Sequence, residues 1–353
     1  LSLIEFIKRI LRRDTVVRAA IIGAGWAGTL HANILANEIE GVEVVSVVEP
    51  VKEKGIRCAN NYDAEYYSDI DTMLSKEKVE MVLICTPTYT HADLAIKAAE
   101  AGKIVFCEKP LALTLEDADR MIEAVQKNRV TAMTGHILRF WPEYMKIREI
   151  VDSGDLGAPL HCVSERLLSI PTWTENEWAR KETLGGGMAF DGQIHDIDYL
   201  QWVFGPVKSV ESQGIYDSYY GGWAHIGSNL KFETGVSGFI QAGWRYPNSF
   251  PFTMVTRVIC ENGTVEWVFR GGVHLEQRGQ PVPIIVYRPN GKKEKIDVEQ
   301  IDPFLREWKY FSRCIGEGSA IESGTFQDGR NAVAVAVSSV LSVKEQRAVS
   351  IDR

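Results

Sequence analysis

Three groups of residues in this chain have the types and spacing for chemistry. Gly23, Gly25 and Gly28 form G-x-G-x-x-G, with Trp26 and Ala27 inside the motif. The first glycine permits a tight turn and the second lets backbone approach a pyrophosphate. The third allows close helix–strand packing, and a helix N-terminus just beyond stabilises phosphate charge. Glu49, about 20 residues further on, is placed to accept hydrogen bonds from a ribose diol and to repel a 2′-phosphate. Pro50 follows it with no adjacent arginine, which favours NAD over NADP, although Lys52 and Lys54 keep the phosphorylated cofactor open. The second group is Glu108-Lys109-Pro110, which closes an apolar run. The third is Asp191 and His195, at i and i+4, with Asp198 beyond them and a triple glycine just before.

Each group also has a plainer reading. A glycine turn need hold no ligand, and Lys109 on its tripeptide alone is a surface lysine paired with Glu108. On a helix Asp191 and His195 share a face, yet His195 by itself is as readily a structural histidine. A metal site would need a second histidine or cysteine close by. None is near in sequence, so no metal is expected.

The elements around these groups decide how they are placed. Val17 to Ile22 is an apolar run broken only by Arg18, as for a strand covered on both faces. The glycine turn follows, then a helix-compatible stretch to about Asn37, then "VEVVSVVEP" as a second strand. Further apolar runs recur at Val79–Cys85, Ile104–Cys107 and Val130–Thr134. "TLED" at Thr114 reads as a helix cap, with Leu115, Ala118, Met121, Ile122 and Val125 as the buried stripe. Alternating strands and helices imply a doubly wound parallel sheet. The carboxyl ends of such strands line the ligand crevice. That puts Thr86, Pro87 and His91 of "TPTYTH" at the cofactor, with Glu108 and Lys109.

After about residue 138 the grammar changes. "LHCVSERLL", "VSGFIQAGW", "TMVTRVIC" and "TVEWVF" are strand-like, with a turn at "ENG", which suggests a largely antiparallel sheet. The tail "DGRNAVAVAVSSVLSV" alternates like a strand, yet its length and alanines suit a helix better.

A chain of 353 residues is long for a single core and suggests two domains. A net charge of -8 argues against a general nucleic-acid binder, which needs a basic face. The cysteines are scattered without a C-x-x-C pair, which fits a reduced cytoplasmic protein. No apolar stretch approaches the roughly 20 residues of a membrane span. The opening "LSLIEFIKRILRRD" has Leu3, Ile4, Ile7, Ile10 and Leu11 at helical spacing among basic residues. It reads as a leader helix or extension resting on the protein's own surface, with a membrane-lying helix as the alternative.

"AIIGAGWAG", "TPTYTHADLAIKAAEAGKIVFCEKPLALT", "GHILRF" and "GGGMAFDGQIHDIDYLQWVFG" together resemble the Gfo/Idh/MocA family of oxidoreductases over roughly residues 17 to 350. The resemblance implies an α/β protein: an N-terminal Rossmann domain, then an α/β domain with an open, mostly antiparallel sheet whose face makes a dimer or tetramer. The expected division is a leader at 1–16, an NAD-binding domain at 17–138, a substrate and oligomerisation domain at 139–325, and a helix at 326–353 returning to the first domain. Lys109, Asp191 and His195 fall on the family's catalytic positions. The implied activity is hydride transfer between nicotinamide and a secondary alcohol of a sugar, sugar derivative or cyclitol. His195 would take the hydroxyl proton, Lys109 would stabilise the developing oxyanion, and Asp191 would orient the histidine or bind a neighbouring hydroxyl. Arg139, Trp141, Trp173, Trp178 and Arg180 are candidates for the substrate wall, each equally plausible as packing. Two rival functions stay open: a lyase or glycosidase that retains NAD, and a ligand sensor without catalysis.

Overall fold

Short runs rich in valine, isoleucine and alanine become strands covered on both faces. Ala19, Ala20 and Ile21 of the first such run are completely buried. The computed structural model describes residues 16–170, 175–272 and 281–351. The leader and Trp173 lie outside the described residues. The chain divides into two units: residues up to Ile137 with Asp302–Arg330, and Leu138–Ile301 with Asn331 onward.

Among the described residues of the first unit, six parallel strands form one sheet: β1 (Val17–Ile22), β2 (Val42–Val48), β3 (Glu65–Tyr67), β4 (Met81–Ile84), β5 (Ile104–Glu108) and β6 (Ala132–Gly135). Their order is β3-β2-β1-β4-β5-β6, the doubly wound arrangement, and it reverses between β1 and β4. That reversal opens a crevice at the carboxyl ends, where such sheets bind ligands. The expected cap is present: Thr114 accepts from the Asp117 N–H at 3.1 Å to start helix Leu115–Asn128. Its fully buried positions are Ala118, Met121 and Ala124; Leu115, Ile122 and Val125 are only half-buried.

The first unit has a second, distant piece. Asp302 caps helix Pro303–Glu317 by accepting from the N–H groups of Phe304 and Leu305. Phe304, Trp308 and Phe311 are buried on that helix, with the rings of Trp308 and Phe311 at 4.6 and 5.9 Å from that of Phe106 on β5. Residues 302–325 therefore belong with the six-stranded sheet, not with the domain expected at 139–325. The tail departs from expectation as well. Its helix, Phe326–Glu345, belongs to the first unit only through Arg330. It then gives way to a strand, β15 (Val349–Ser350), that pairs antiparallel with β8 of the second sheet.

In the second unit nine described strands form one sheet: β7 (Pro159–Ser169), β8 (Val207–Asp217), β9 (Gly222–Phe232), β10 (Ser237–Tyr246), β11 (Thr253–Cys260), β12 (Gly263–Arg270), β13 (Ile284–Tyr287), β14 (Lys293–Ile296) and β15. Their order is β14-β13-β12-β11-β7-β10-β9-β8-β15, and all pairs are antiparallel except β7 with β10. Side chains alternate as the pleat requires. Cys162, Ile240, Leu230, Val258 and Trp267 face inward and are buried. Helices Pro142–Asp152 and Ile194–Phe204 belong to that core: the Tyr144 ring lies 4.7 Å from that of Tyr199 and 5.5 Å from that of Trp267. Val163, Phe239 and Arg257 lie on the opposite face and are half-buried, and Ile259 there is exposed.

Candidate active site

In the first unit the glycine turn joins β1 to helix Trp26–Glu38. Gly23 has φ +97, and a Cβ there would stand 2.6 Å from the Cys85 carbonyl oxygen; a Cβ on Gly28 would stand 1.9 Å from that of Gly23. The protein's own backbone therefore excludes side chains at both. Gly25 differs, because nothing in the described protein lies within 4 Å of where its Cβ would be. The space is the kind a pyrophosphate needs. Helix Trp26–Glu38 has no side-chain cap, and a helix N-terminus of this kind suits an anion; Trp26 is exposed and Ala27 half-buried.

Glu49 is buried beside this turn. One carboxylate oxygen accepts from the Ala24 N–H at 3.0 Å and the other from the Val51 N–H at 3.1 Å. Lys54 Nζ stands 3.8 Å from the first. The acid thus holds the turn. These residues fit a dinucleotide.

The loop after β4 and the turn after β5 are tied to one another. The His91 ring nitrogens lie 2.9 Å from the carbonyl oxygens of Pro110 and Thr86. Burial pushes His91 below its ordinary value, against the raising effect of those carbonyls, so its one proton serves one of them at a time. His91 is buried, and its place is that of a clamp between loops. Thr86 bonds Thr90 side chain to side chain at 2.7 Å, and the Pro87 carbonyl accepts from Thr90 Oγ1. Glu108 accepts from His31 at 2.7 Å and from the Lys109 N–H at 3.0 Å. Burial would raise its pKa, but the His31 hydrogen bond and the Lys109 ammonium hold it below the ordinary carboxylate value. Lys109 itself is half-buried at the turn.

In the second unit, Asp191 lies in a π-helical turn, Ala189–Gln193, which runs directly into helix Ile194–Phe204 carrying His195. The regular α-helix expected over both residues is replaced by this wider turn, a feature often found at functional sites. Every residue from Gly185 to Leu200 is buried except Asp191 and His195. The triple glycine serves the protein rather than a ligand: Gly187 has φ +66, and its Cβ would lie 2.9 Å from Trp223 backbone atoms, while a Cβ on Gly185 would meet Ala179 backbone at 2.4 Å.

The helix is pinned on both sides of His195. Asp196 accepts from Ser164 at 2.7 Å and from Arg166 at 2.9 Å. Asp198 accepts a two-pronged bond from Arg139, both contacts at 2.8 Å. All four charged residues are buried. Arg139, expected on the substrate wall, is therefore an internal brace. Arg180 is also buried, with Nη1 donating to Glu177 at 3.0 Å and its guanidinium over the Tyr220 ring. Trp141 is buried near Tyr144; Trp178 stays half-buried. No cluster that could hold a metal ion occurs among the described residues. Sequence reasoning missed His31, Asp196, Arg166, Glu307 and Trp308. Only Asp196 left a signal, as an acid next to His195.

Residues 17–136 match the oxidoreductase family, NAD-binding Rossmann fold, of GFO/IDH/MocA. Residues 144–266 match the GFO/IDH/MocA C-terminal domain. The chain is 35% identical over 190 residues to a 2,7-anhydro-N-acetylneuraminate hydratase of Mediterraneibacter gnavus, covering 53% of this chain and 49% of the relative. It is 36% identical over 192 residues to an inositol 2-dehydrogenase of Salmonella typhimurium, covering 53% and 54%. The chain thus spans about half the length of these curated relatives. A levoglucosan dehydrogenase solved with NADH and levoglucosan superposes with a TM-score of 0.81 over 96% of this chain and 98% of that one. At 20% identity, that likeness is one of fold.

Proposed function

The chain belongs to the GFO/IDH/MocA oxidoreductase family, and we propose that it is an NAD-dependent dehydrogenase of a secondary alcohol on a sugar, sugar derivative or cyclitol. The observation that carries this reading is the pair Asp191 and His195, the half-buried positions in an otherwise buried run. His195 accepts the hydroxyl proton; an imidazole suits the task because it ordinarily titrates near about pH 6.5. Lys109 supplies an ammonium that stabilises negative charge developing on a substrate oxygen. Asp191 orients the histidine or receives a neighbouring hydroxyl. A bound nicotinamide would supply the hydride acceptor. Glu49 supports NAD over NADP, and Lys54 at 3.8 Å offsets part of its charge.

The test is a screen of sugars and cyclitols for NADH formation, followed by His195→Asn. Oxidation by the parent falls as pH drops, because imidazolium cannot accept the proton. The Asn variant loses most activity and that acidic limb, while NAD binding barely changes. An Asn variant with the same limb and rate would remove His195 from the mechanism. The 35% identity to a hydratase favours one second reading, oxidation and re-reduction on a retained cofactor. Product formation without net NADH would select it.

The half-buried Val163 and Phe239 and exposed Ile259 on the outer sheet face support assembly of identical chains through that face. The six cysteines are free and buried, which supports a reducing compartment such as the cytoplasm.

A further inference from the structure

Beneath the Glu108-Lys109-Pro110 turn lies a run of hydrogen bonds whose direction is fixed by chemistry. An indole N–H can only donate, and Trp308 Nε1 lies 2.8 Å from His31 Nδ1. His31 Nδ1 must therefore be unprotonated. The ring then carries its proton on Nε2, which faces Glu108 Oε1 at 2.7 Å. Glu108 Oε2 accepts the Lys109 N–H at 3.0 Å. His31 and Trp308 are completely buried, and the Phe106 and Phe304 rings stand 5.2 and 5.6 Å from the imidazole. A second proton on His31 would turn Nδ1–H against the indole N–H, which the neutral ring avoids.

Among the described residues, His31 and Lys109 are the side chains that favour the anionic form of Glu108. Glu307, on the same helix as Trp308, is completely buried. Its carboxylate oxygens have no hydrogen-bond partner among the described residues. Burial, with the Glu108 charge adding to it, pushes its pKa well up, so it is a neutral acid. Burial likewise keeps the Cys85 and Cys107 thiols neutral and lowers His91. The Lys109 ammonium acts on the Glu108 carboxylate beside it.

We propose that His31 and Trp308 are positioning residues for Lys109: the one-way chain from indole to imidazole to carboxylate fixes Glu108, which in turn fixes the backbone and charge of Lys109. The proposal rests on the catalytic reading of Lys109. It assigns a role to a helix on the return segment of the chain, far in sequence from the turn it serves.

The test compares His31→Phe with His31→Gln. Glutamine can accept from Trp308 through its oxygen and donate to Glu108 through its nitrogen, and it cannot titrate. Phenylalanine keeps the ring and leaves both neighbours without their bond. Expected for H31F is a fall in kcat of about 10- to 100-fold with NAD affinity within several-fold of the parent; H31Q restores kcat to within several-fold. Activity is read in the direction of carbonyl reduction, where His195 must be protonated, so an acidic loss cannot come from it. Losing the His31 donor raises the Glu108 pKa, so the carboxylate is lost at a higher pH as pH falls. The acidic limb of H31F therefore moves up, and that of H31Q does not.

Folding is followed by thermal melting, and nitrogen-15 NMR of the parent reads His31 directly. A neutral Nε2–H imidazole supports the chain; an Nδ1–H form overturns it, even if H31F does not fold. Trp308→Phe removes the donor to His31 Nδ1 and should shift that nitrogen's resonance, and a ring unchanged by that variant also overturns it. If K109A keeps normal turnover, the reading of Lys109 fails while the NMR result stands. If K109A is inactive and folded H31F keeps the parental rate and limb, the positioning role fails alone.

Discussion

Lys109 is the residue on which the two nearest rival readings separate. As an oxyanion donor, its loss in Lys109→Ala costs about 100- to 1,000-fold in turnover. On the proposed reading the dinucleotide stays bound, because Gly25, the helix N-terminus and Glu49 would still hold it. As a surface lysine, its loss costs almost nothing, so steady-state rates with a cofactor titration decide. Lys109, Asp191 and His195 stood out in the sequence because short motifs carried them. Arg139 and Arg180 were not, since no local pattern tells a braced arginine from one facing a ligand. His31 was hidden for a different reason, its indole partner being 277 residues away. Glu307 gives a second prediction at this scale. Its folded pKa lies above the unfolded one, so the folded state binds the extra proton and stability falls as pH rises between the two values. Glu307→Gln removes that dependence. Its advantage over the parent in urea midpoint should grow from about pH 5 to about pH 8, whereas a constant difference would mean Glu307 is ionised in the fold.

At the scale of elements, the helix carrying His195 depends on buried charge. Asp196 and Asp198 are each met by a buried arginine, and removing one member takes that partner from the other inside the core. Arg139→Met should therefore destabilise the protein by about 3–5 kcal/mol. Pairing it with Asp198→Leu should recover much of the loss, because the carboxylate that lost its two-pronged partner is gone as well. Denaturant unfolding of the two single variants and the double variant gives the coupling; additive losses would mean the brace is not a pair. The same core explains which strands could be read from sequence. β7, β10, β11 and β12 show themselves through apolar alternation. β8 and β9 do not, because their inward positions include Ser212 and Ser228. Those serines bond each other at 2.8 Å, and Gln193 of the π-helical turn donates to Ser228 at 3.2 Å. A polar seam in the core erases the hydrophobic period while keeping the pleat. The π-helical turn itself was not visible, since its residues suit a helix of either winding.

At the scale of the whole molecule, the chain leaves the first unit at Ile137 and returns at Asp302. The departure was legible as a change from buried parallel runs to alternating strands. The return was not, because an amphipathic helix announces that it will be covered without saying by what. Phe304, Trp308 and Phe311 supply the answer, since they close over His31 and Phe106. Burying three large aromatic side chains is worth on the order of 5–9 kcal/mol at about 1.5–3 each. That rivals the entire stability of a typical domain, about 5–15 kcal/mol. A fragment of residues 16–137 should therefore fail to unfold cooperatively and should bind NAD poorly, although it holds the whole glycine turn and Glu49. Joining residues 302–330 to it through a flexible linker should restore both properties. Circular dichroism melting and calorimetric NAD titration of the two fragments check this. A short fragment that melts cooperatively within a few degrees of the linked one would mean the six-stranded sheet is stable without its returning helix. The aromatic contact would then act on the Glu108 turn alone rather than on the fold.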